Sequence, residues 1–489
     1  MKRYIKLGIM ALWLLPLLSC NKLDDFLDVR PVGQSVAVDN ASTDSAAYAS
    51  GEEAEAALAG LYSEFRNEYW ELDYFFNADA QSDNAYAGAD NPANFQIDEM
   101  RIDAINSNVS RDWAYLYSTI GKANEVINNV DLVQDLDADR KAGIKGEAAF
   151  IRAFHYFQLV QLWGDVPLQL QEIKTVSVEI LEEIYPIMFP ARAPKEEVFA
   201  QIISDLELAA STAPVNAPNK GYVTKGAANA MLAKVYATIE PHDWNKVLEY
   251  TAAVMAGPYS LLPEYDQLWD GSVENSSESI FEINYEGTSS SGNWGVNMFM
   301  GTDWKKFNTP SNDLVAAFDA EGDEIRKNAS IMFSDVSGKW TDPYWPSNNF
   351  PFMNKYRNLT SPSPQNYIFI RLADIMLLRA EALNETGDVA GAAELVNTIR
   401  ARVDLAPTTA GTQEEMRLAI EKERRLELAF EGHRWFDLKR TGRAIEVMSN
   451  VKGPDGENLN YPVNENRLLW PIPQSELDNN TKLVQNPGY

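Results

Sequence analysis

The sequence predicts a mostly α-helical fold in which helical hairpins form a scaffold and one loop-rich, partly β irregular lobe interrupts them. Three observations carry that expectation. Apolar residues recur at helical spacing through most of 52–255 and again through 367–448. Between about 257 and 364 the long periodic runs stop, and Trp, Asn, Ser, Gly and Pro become frequent. Around Gly387-Asp388 two stripes face each other, Leu372, Ile375, Met376, Leu378 and Ala382 against Ala390, Ala393, Leu395, Val396 and Ile399. Such a helical hairpin is tetratricopeptide-like, although no clean repeat register runs along the chain.

Taken in order, the chain opens with Lys2, Arg3 and Lys6, then an apolar run over 7–18, then Ser19-Cys20. A charged start, a short apolar run and a small residue before a cleavage point read as a secretory signal over 1–19. Ser19-Cys20 resembles a bacterial lipobox, which makes Cys20 the expected lipidated N-terminus. It is the single cysteine of the chain, so disulfides and cysteine zinc clusters are excluded. Residues 20–50 are small and polar and read as a lipidated, flexible tether, leaving 51–489 as the folded domain. Helices are expected at 52–70, 110–127, 137–163, 195–210, 224–239 and 243–255. Gly164-Asp-Val-Pro167 stops the third of these. Within the irregular lobe, 279–285 alternates like a strand and 311–319 reads as a short helix. Helices resume at 367–386, 388–403, 413–430 and 433–448.

The formal net charge is −29, and setting aside Lys2, Arg3 and Lys6 leaves 39 Lys and Arg against 71 Asp and Glu. So acidic a protein repels nucleic acid, and no nucleic-acid partner is expected. The 12 Trp, 21 Tyr and 20 Phe point elsewhere, because many stand in Gly-, Asn- and Ser-rich stretches outside the periodic segments.

Four segments together resemble the SusD/RagB family of outer-membrane lipoproteins. They are the run from Glu147 through His155 to Trp163-Gly-Asp-Val-Pro167, and Tyr367-Ile-Phe-Ile-Arg-Leu-Ala-Asp374 with its continuation to Asn384. The others are Glu421-Lys-Glu-Arg-Arg-Leu-Glu-Leu-Ala-Phe-Glu-Gly-His-Arg-Trp-Phe-Asp437, and Trp470-Pro-Ile-Pro473 with the ending Asn486-Pro-Gly-Tyr489. Their order spans the whole chain. The resemblance implies a cell-surface glycan-binding lipoprotein, anchored in the outer membrane through acylated Cys20, that delivers ligand to a SusC-like TonB-dependent transporter. It also implies tetratricopeptide-like helix pairs beneath a loop-rich ligand face. Asp24-Asp25 resembles the acidic signal that directs such lipoproteins to the outer leaflet.

Sugars present C–H-rich ring faces and hydroxyl edges, so their binders need flat aromatic surfaces flanked by amide or carboxylate groups. Three loop stretches offer that pairing. They supply the candidate ligand-binding residues: Trp294, Trp345, Tyr86, Trp304, Trp340 and Phe95 as rings, and Asp83, Asn84 and Asn293 as hydroxyl partners. The bland reading for each ring is burial under a long loop. The cluster Trp70, Tyr74, Phe75 and Phe76 beside a helix end reads as core. In the 421–440 stretch, Glu423, Arg424, Arg425, Glu427, Arg434 and Asp437 read as ion pairs within the scaffold.

No catalytic residues, metal site or cofactor are expected. With 71 acidic residues, a pair picked out as hydrolase carboxylates has no specificity. Asp135-Leu-Asp-Ala-Asp139 lacks the glycine and distal glutamate of an EF-hand and reads as a helix start. Two alternatives stay open at this point: a structural lid of the transporter that binds a non-glycan nutrient such as a peptide, and, further off, a glycoside hydrolase.

Overall fold

A computed structural model of the chain describes residues 47–88, 91–172, 180–299 and 306–489. The signal segment, Cys20, most of the tether and Trp304 lie outside the described residues.

Antiparallel helix pairs build the scaffold. Ser107–Asn129 packs on Ala138–Trp163, which packs in turn on Lys195–Thr212. Lys225–Tyr236 pairs with Trp244–Met255, and Leu372–Glu385 pairs with Val389–Arg402 and with Gln413–Glu427. Local chemistry sets the ends. Asp137 caps the Ala138 helix by accepting from the Arg140 N–H at 2.8 Å, so the acidic run there is a helix start. Gly387 turns the last hairpin at φ +94°, a left-handed conformation that glycine adopts without steric cost.

The core centres on Trp70. Its ring lies 5.1 Å from Phe154 and 5.4 Å from Phe369, and its Nε1 donates to His155 Nε2 at 3.0 Å. Trp70, Tyr74, Phe75 and Phe76 are all buried. Burial pushes His155 and His433 down to about 4, so both imidazoles are neutral and structural. The C-terminal segment is clipped onto the scaffold: Trp163 Nε1 donates to Pro471 O, and Asn486 Nδ2 donates to the Trp163 and Trp470 carbonyls.

Several expected boundaries differ. The predicted first helix stops at Ser63, followed by a short 3₁₀ turn and a π-helical turn over Tyr69–Asp73. Tyr367–Arg371 is a strand, not the first turn of a helix; it pairs antiparallel with Ser279–Ile283, and both are buried on both faces. A five-residue run of Tyr, Ile, Phe, Ile and Arg has strand propensity, and its apolar continuity matches helix and buried strand equally. Beyond His433 the chain forms two short helices, Arg434–Arg440 and Ala444–Met448, parted at Gly442 with φ +70°.

The charged 421–440 stretch forms a buried seam. Glu427 accepts from Arg326 Nη1 at 3.0 Å and Arg371 Nη1 at 2.6 Å, and also pairs with Arg402. Arg371 further bonds Glu278 and Glu431. The surrounding guanidiniums outweigh burial and hold Glu427 well below the usual carboxylate range.

Candidate glycan-binding face

The strands Ile331–Asp335 and Asn349–Met353 form an antiparallel hairpin that carries the 336–348 loop. Asp335 starts that loop by accepting from the Ser337 N–H, and Gly338 turns it at φ +74°. Phe350 and Phe352 point into a buried cluster with Tyr86 and Val336. Trp340, Tyr344 and Trp345 pack half-buried against that cluster, so each keeps part of its ring open to solvent.

One carboxylate organises the loop. Asp342 Oδ1 accepts from Tyr86 OH at 3.1 Å, from the Tyr344 N–H at 2.9 Å and from the Trp345 N–H at 3.2 Å. Its Oδ2 accepts from Lys306 Nζ at 2.8 Å. Lys306 in turn sits 4.8 Å above the Trp340 ring. Trp345 is fixed from the other side, since its Nε1 donates to Asn349 O at 2.8 Å and its ring lies 5.9 Å from Phe333. The rings are therefore held in place before any ligand arrives, which lowers the ordering cost of binding.

Beside this loop lies Asp98, at the end of the Pro92–Asp98 helix. Its Oδ2 accepts from the Ala87 N–H at 3.0 Å and its Oδ1 from Tyr461 OH at 3.4 Å. Burial, with Glu99 and Asp342 adding to it, pushes its carboxyl up to about 8.

Trp294 occupies a second place. It is half-buried, and its N–H donates to Glu71 Oε2 at 3.3 Å. The glycines flanking the Asn293-Trp294 pair explain the close approach: a Cβ at Gly292 would meet Pro362 Cβ at 2.1 Å, and one at Gly295 would meet Glu71 O at 2.0 Å. Glu71 belongs to the π-helical turn, a distortion that aims its carboxylate at this loop. Burial raises the Glu71 carboxyl to about 8.

Among the sequence-predicted residues, the structure brings Tyr86, Trp340 and Trp345 into one cluster, while Trp294 and Phe95 pack on the main core. Four expectations are corrected. Asp83, Asn84 and Asn293 are buried and spent on the protein rather than open to hydroxyls. Asp83 is held by Arg434 at 2.7 and 2.8 Å, and Arg425 and Arg434 outweigh its burial and pull it down to about 2. Asn84 bonds Asp79 and Arg425, and Asn293 bonds the Ser363 and Gln365 carbonyls. Tyr86 is 3% exposed, so it supports the face from beneath and is not a stacking surface. Sequence reasoning passed over Tyr344, Asp342, Lys306 and Asp98. A Pro between Asp342 and Tyr344 was the available signal, since Asp-Pro favours a turn whose carboxylate bonds the backbone two residues on.

Among the described residues no helix is long and apolar enough to cross a membrane, and no group of His, Cys, Asp and Glu is placed to hold a metal ion.

The fold is a tetratricopeptide-like helical scaffold that carries an aromatic surface loop. The SusD family pattern matches residues 300–489, and a pattern described as "Starch-binding associating with outer membrane" matches 25–237. A SusD-like protein, P2 of Formosa agariphila, is 30% identical over 430 residues, covering 78% of this chain and 81% of its own. A solved laminarin-binding SusD-like protein superposes with TM-score 0.75 at 28% identity, covering 90% of this chain and 100% of its own. A SusD superfamily protein from Bacteroides thetaiotaomicron shares the fold at TM-score 0.76 and 24% identity, over 90% of this chain and all of its own. The chain belongs to the SusD/RagB family.

Proposed function

We propose that this protein is a cell-surface glycan-binding lipoprotein that hands its ligand to a SusC-like TonB-dependent transporter of the outer membrane. The observation that carries the reading is the pre-set aromatic face of the 336–348 loop. There Trp345 and Tyr344 are fixed by Asp342 while part of each ring stays open. A sugar ring stacks on such a surface through its C–H face, while Asp342 and Lys306, engaged with each other and with the loop, hold the rings from beneath. The laminarin-binding relative and the starch-binding pattern support a glucan as the first ligand class to try. Acylation of Cys20 supplies the anchor, and a long polar segment spaces the folded domain from the lipid.

The decisive experiment is isothermal titration of the full soluble chain against laminarin, starch and other glycans, repeated with Trp345→Ala. Binding by the wild type that weakens in the variant, with unchanged unfolding, supports the reading; no binding across the panel overturns it. Cys20→Ser should release the protein from membranes, and purification in mild detergent should recover a larger barrel partner.

A further inference from the structure

A cleft on the helical scaffold shares no lining residue with the aromatic loop. Its volume is about 660 Å³, and it lies between the Leu372–Glu385, Gln413–Glu427 and Arg434–Arg440 helices and the start of the Trp244–Met255 helix. That volume lies within the range of small-molecule sites.

Its walls have an unusual charge pattern. Five arginines and six carboxylates line it. Each of the five guanidiniums is already paired: Arg417 with Glu385, Arg424 with Asp437, Arg434 with Asp83, Arg440 with Glu381 and Arg443 with Glu421. Four of these pairs are bidentate, and the carboxylates of two of them, Glu381 and Glu385, stand at neighbouring turns of the Leu372–Glu385 helix. Arg417 donates to Glu385 at 2.6 and 2.8 Å near the mouth, and Arg440 donates to Glu381 at 2.6 and 2.7 Å deeper in. On the facing wall Trp244 stands half-buried, with His242 4.9 Å away, and Leu418 is 52% exposed at the rim.

Paired in this way, the cleft offers an anion no uncompensated cation, and the protein's net −29 disfavours anions further. A neutral polyol meets a different surface. A bidentate carboxylate keeps lone pairs beyond those given to arginine, and a guanidinium has five N–H groups, so one hydroxyl can donate to the first and accept from the second. Trp244 adds the flat apolar plane that a sugar ring requires.

We propose that this cleft is a second saccharide subsite, which takes a neutral oligosaccharide with one ring on Trp244 and its hydroxyls bridging the Glu385–Arg417 and Glu381–Arg440 pairs. The inference rests on the glycan-binding reading and extends it to two binding sites on one chain.

The test is titration calorimetry of the full soluble chain with laminarihexaose and maltohexaose, on wild type, Trp345→Ala, Trp244→Ala and Arg417→Ala. The Arg417 side chain is 49% exposed, so its variant keeps the fold should Trp244→Ala fail to fold. Two sites per wild-type chain are expected. Trp244→Ala should weaken one of them by about 5- to 150-fold and Arg417→Ala by a smaller factor, both sparing the Trp345-dependent site. A single site abolished by Trp345→Ala and untouched by Trp244→Ala and Arg417→Ala overturns the subsite while leaving glycan binding intact. Absence of binding by the wild type overturns both together. Preference of the Trp244 site for a uronate oligosaccharide over the neutral probes also overturns it, because the cleft has no unpaired arginine to offer a carboxylate.

Discussion

Two carboxylates in this molecule organise the groups around them, Glu427 three and Asp342 four, and they do so for opposite ends. Glu427 sits fully buried among the guanidiniums of Arg326, Arg371 and Arg402, joining the late helices to the strand that ends at Arg371. Asp342 sits just under the surface, and three of its four partners are neutral: one phenol and two backbone N–H groups, with Lys306 the fourth. Glu427 is the one carboxylate that these three guanidiniums share, each having a further acidic partner of its own, so its work is tying the buried network together. The groups around Asp342 are backbone and rings of the loop proposed as the ligand face, so on that proposal its work is aim. What a buried carboxylate does is thus read from its partners more than from its own burial.

Removing charge from each carboxylate should therefore separate stability from binding. Glu427→Gln leaves three buried guanidiniums short of a counter-charge, and breaking such a network costs about 3–5 kcal/mol. Urea unfolding should show that loss, with glycan affinity per folded molecule unchanged. An equally large stability loss in Asp342→Ala would erase the contrast between the two regions.

On the ligand face the largest binding effect is expected from the ring itself. Trp345→Ala removes a stacking surface worth on the order of 1–3 kcal/mol of apolar contact, about 5- to 150-fold in affinity. Its stability should fall by less than the ~3–5 kcal/mol typical of a fully buried Trp, because the ring is half-buried. Unchanged affinity with a large stability loss would move Trp345 to the core.

How far each region was legible in sequence follows from the same physics. That the 421–440 stretch forms ion pairs was readable from its dense mixed charge, but the partners were not: Glu427 pairs with Arg326, Arg371 and Arg402 and Arg434 with Asp83, all outside the stretch. The strand at Tyr367–Arg371 was not, because a continuous apolar run looks alike in a buried strand and a buried helix. The hairpin loop was found by its aromatic density, but composition cannot tell which ring faces outward. Tyr86 and Trp345 look equivalent in sequence; Tyr86 goes under because its strand, Ala85–Tyr86, pairs with Thr309–Pro310 and carries its hydroxyl to Asp342. Asp83 and Asn84 were misread for a related reason, since their partners Arg425 and Arg434 lie more than three hundred residues away.

The two regions should also respond to pH with opposite sign. Asp83, in the scaffold, has its folded pKa lowered to about 2, so the stability it contributes is full above the unfolded value near 4 and is lost as pH falls toward 2. Asp98, under the ligand face, has its folded pKa raised to about 8. Between about pH 4 and 8 the folded state then holds the extra proton, and stability declines as pH rises, by up to ~1.4 kcal/mol per pH unit. Asp98→Asn should flatten the decline over pH 5–8 and leave the acid limb from Asp83 in place. A wild-type stability that rises steadily from pH 5 to 8 would contradict the assignment of Asp98.

The smallest expected effect probes the joint between support and face. Tyr86→Phe keeps the buried ring, its packing 5.1 Å from Tyr344 and its place in the Phe350–Phe352 cluster, and removes only the hydroxyl bonded to Asp342. A hydrogen bond to a charged acceptor contributes about 1.5–3 kcal/mol, at the upper end when the group left behind cannot reach another donor. Asp342 still has Lys306 and two backbone donors, so the loss should lie at or below the lower end of that range. If Tyr86 acts by fixing the loop, Tyr86→Phe should weaken glycan binding a few-fold and loosen the loop. Faster hydrogen exchange at the Tyr344 and Trp345 amides would report that loosening. If Tyr86 only fills space, the phenylalanine variant should match wild type in affinity and exchange alike, and Asp342 would then aim the face without help from beneath.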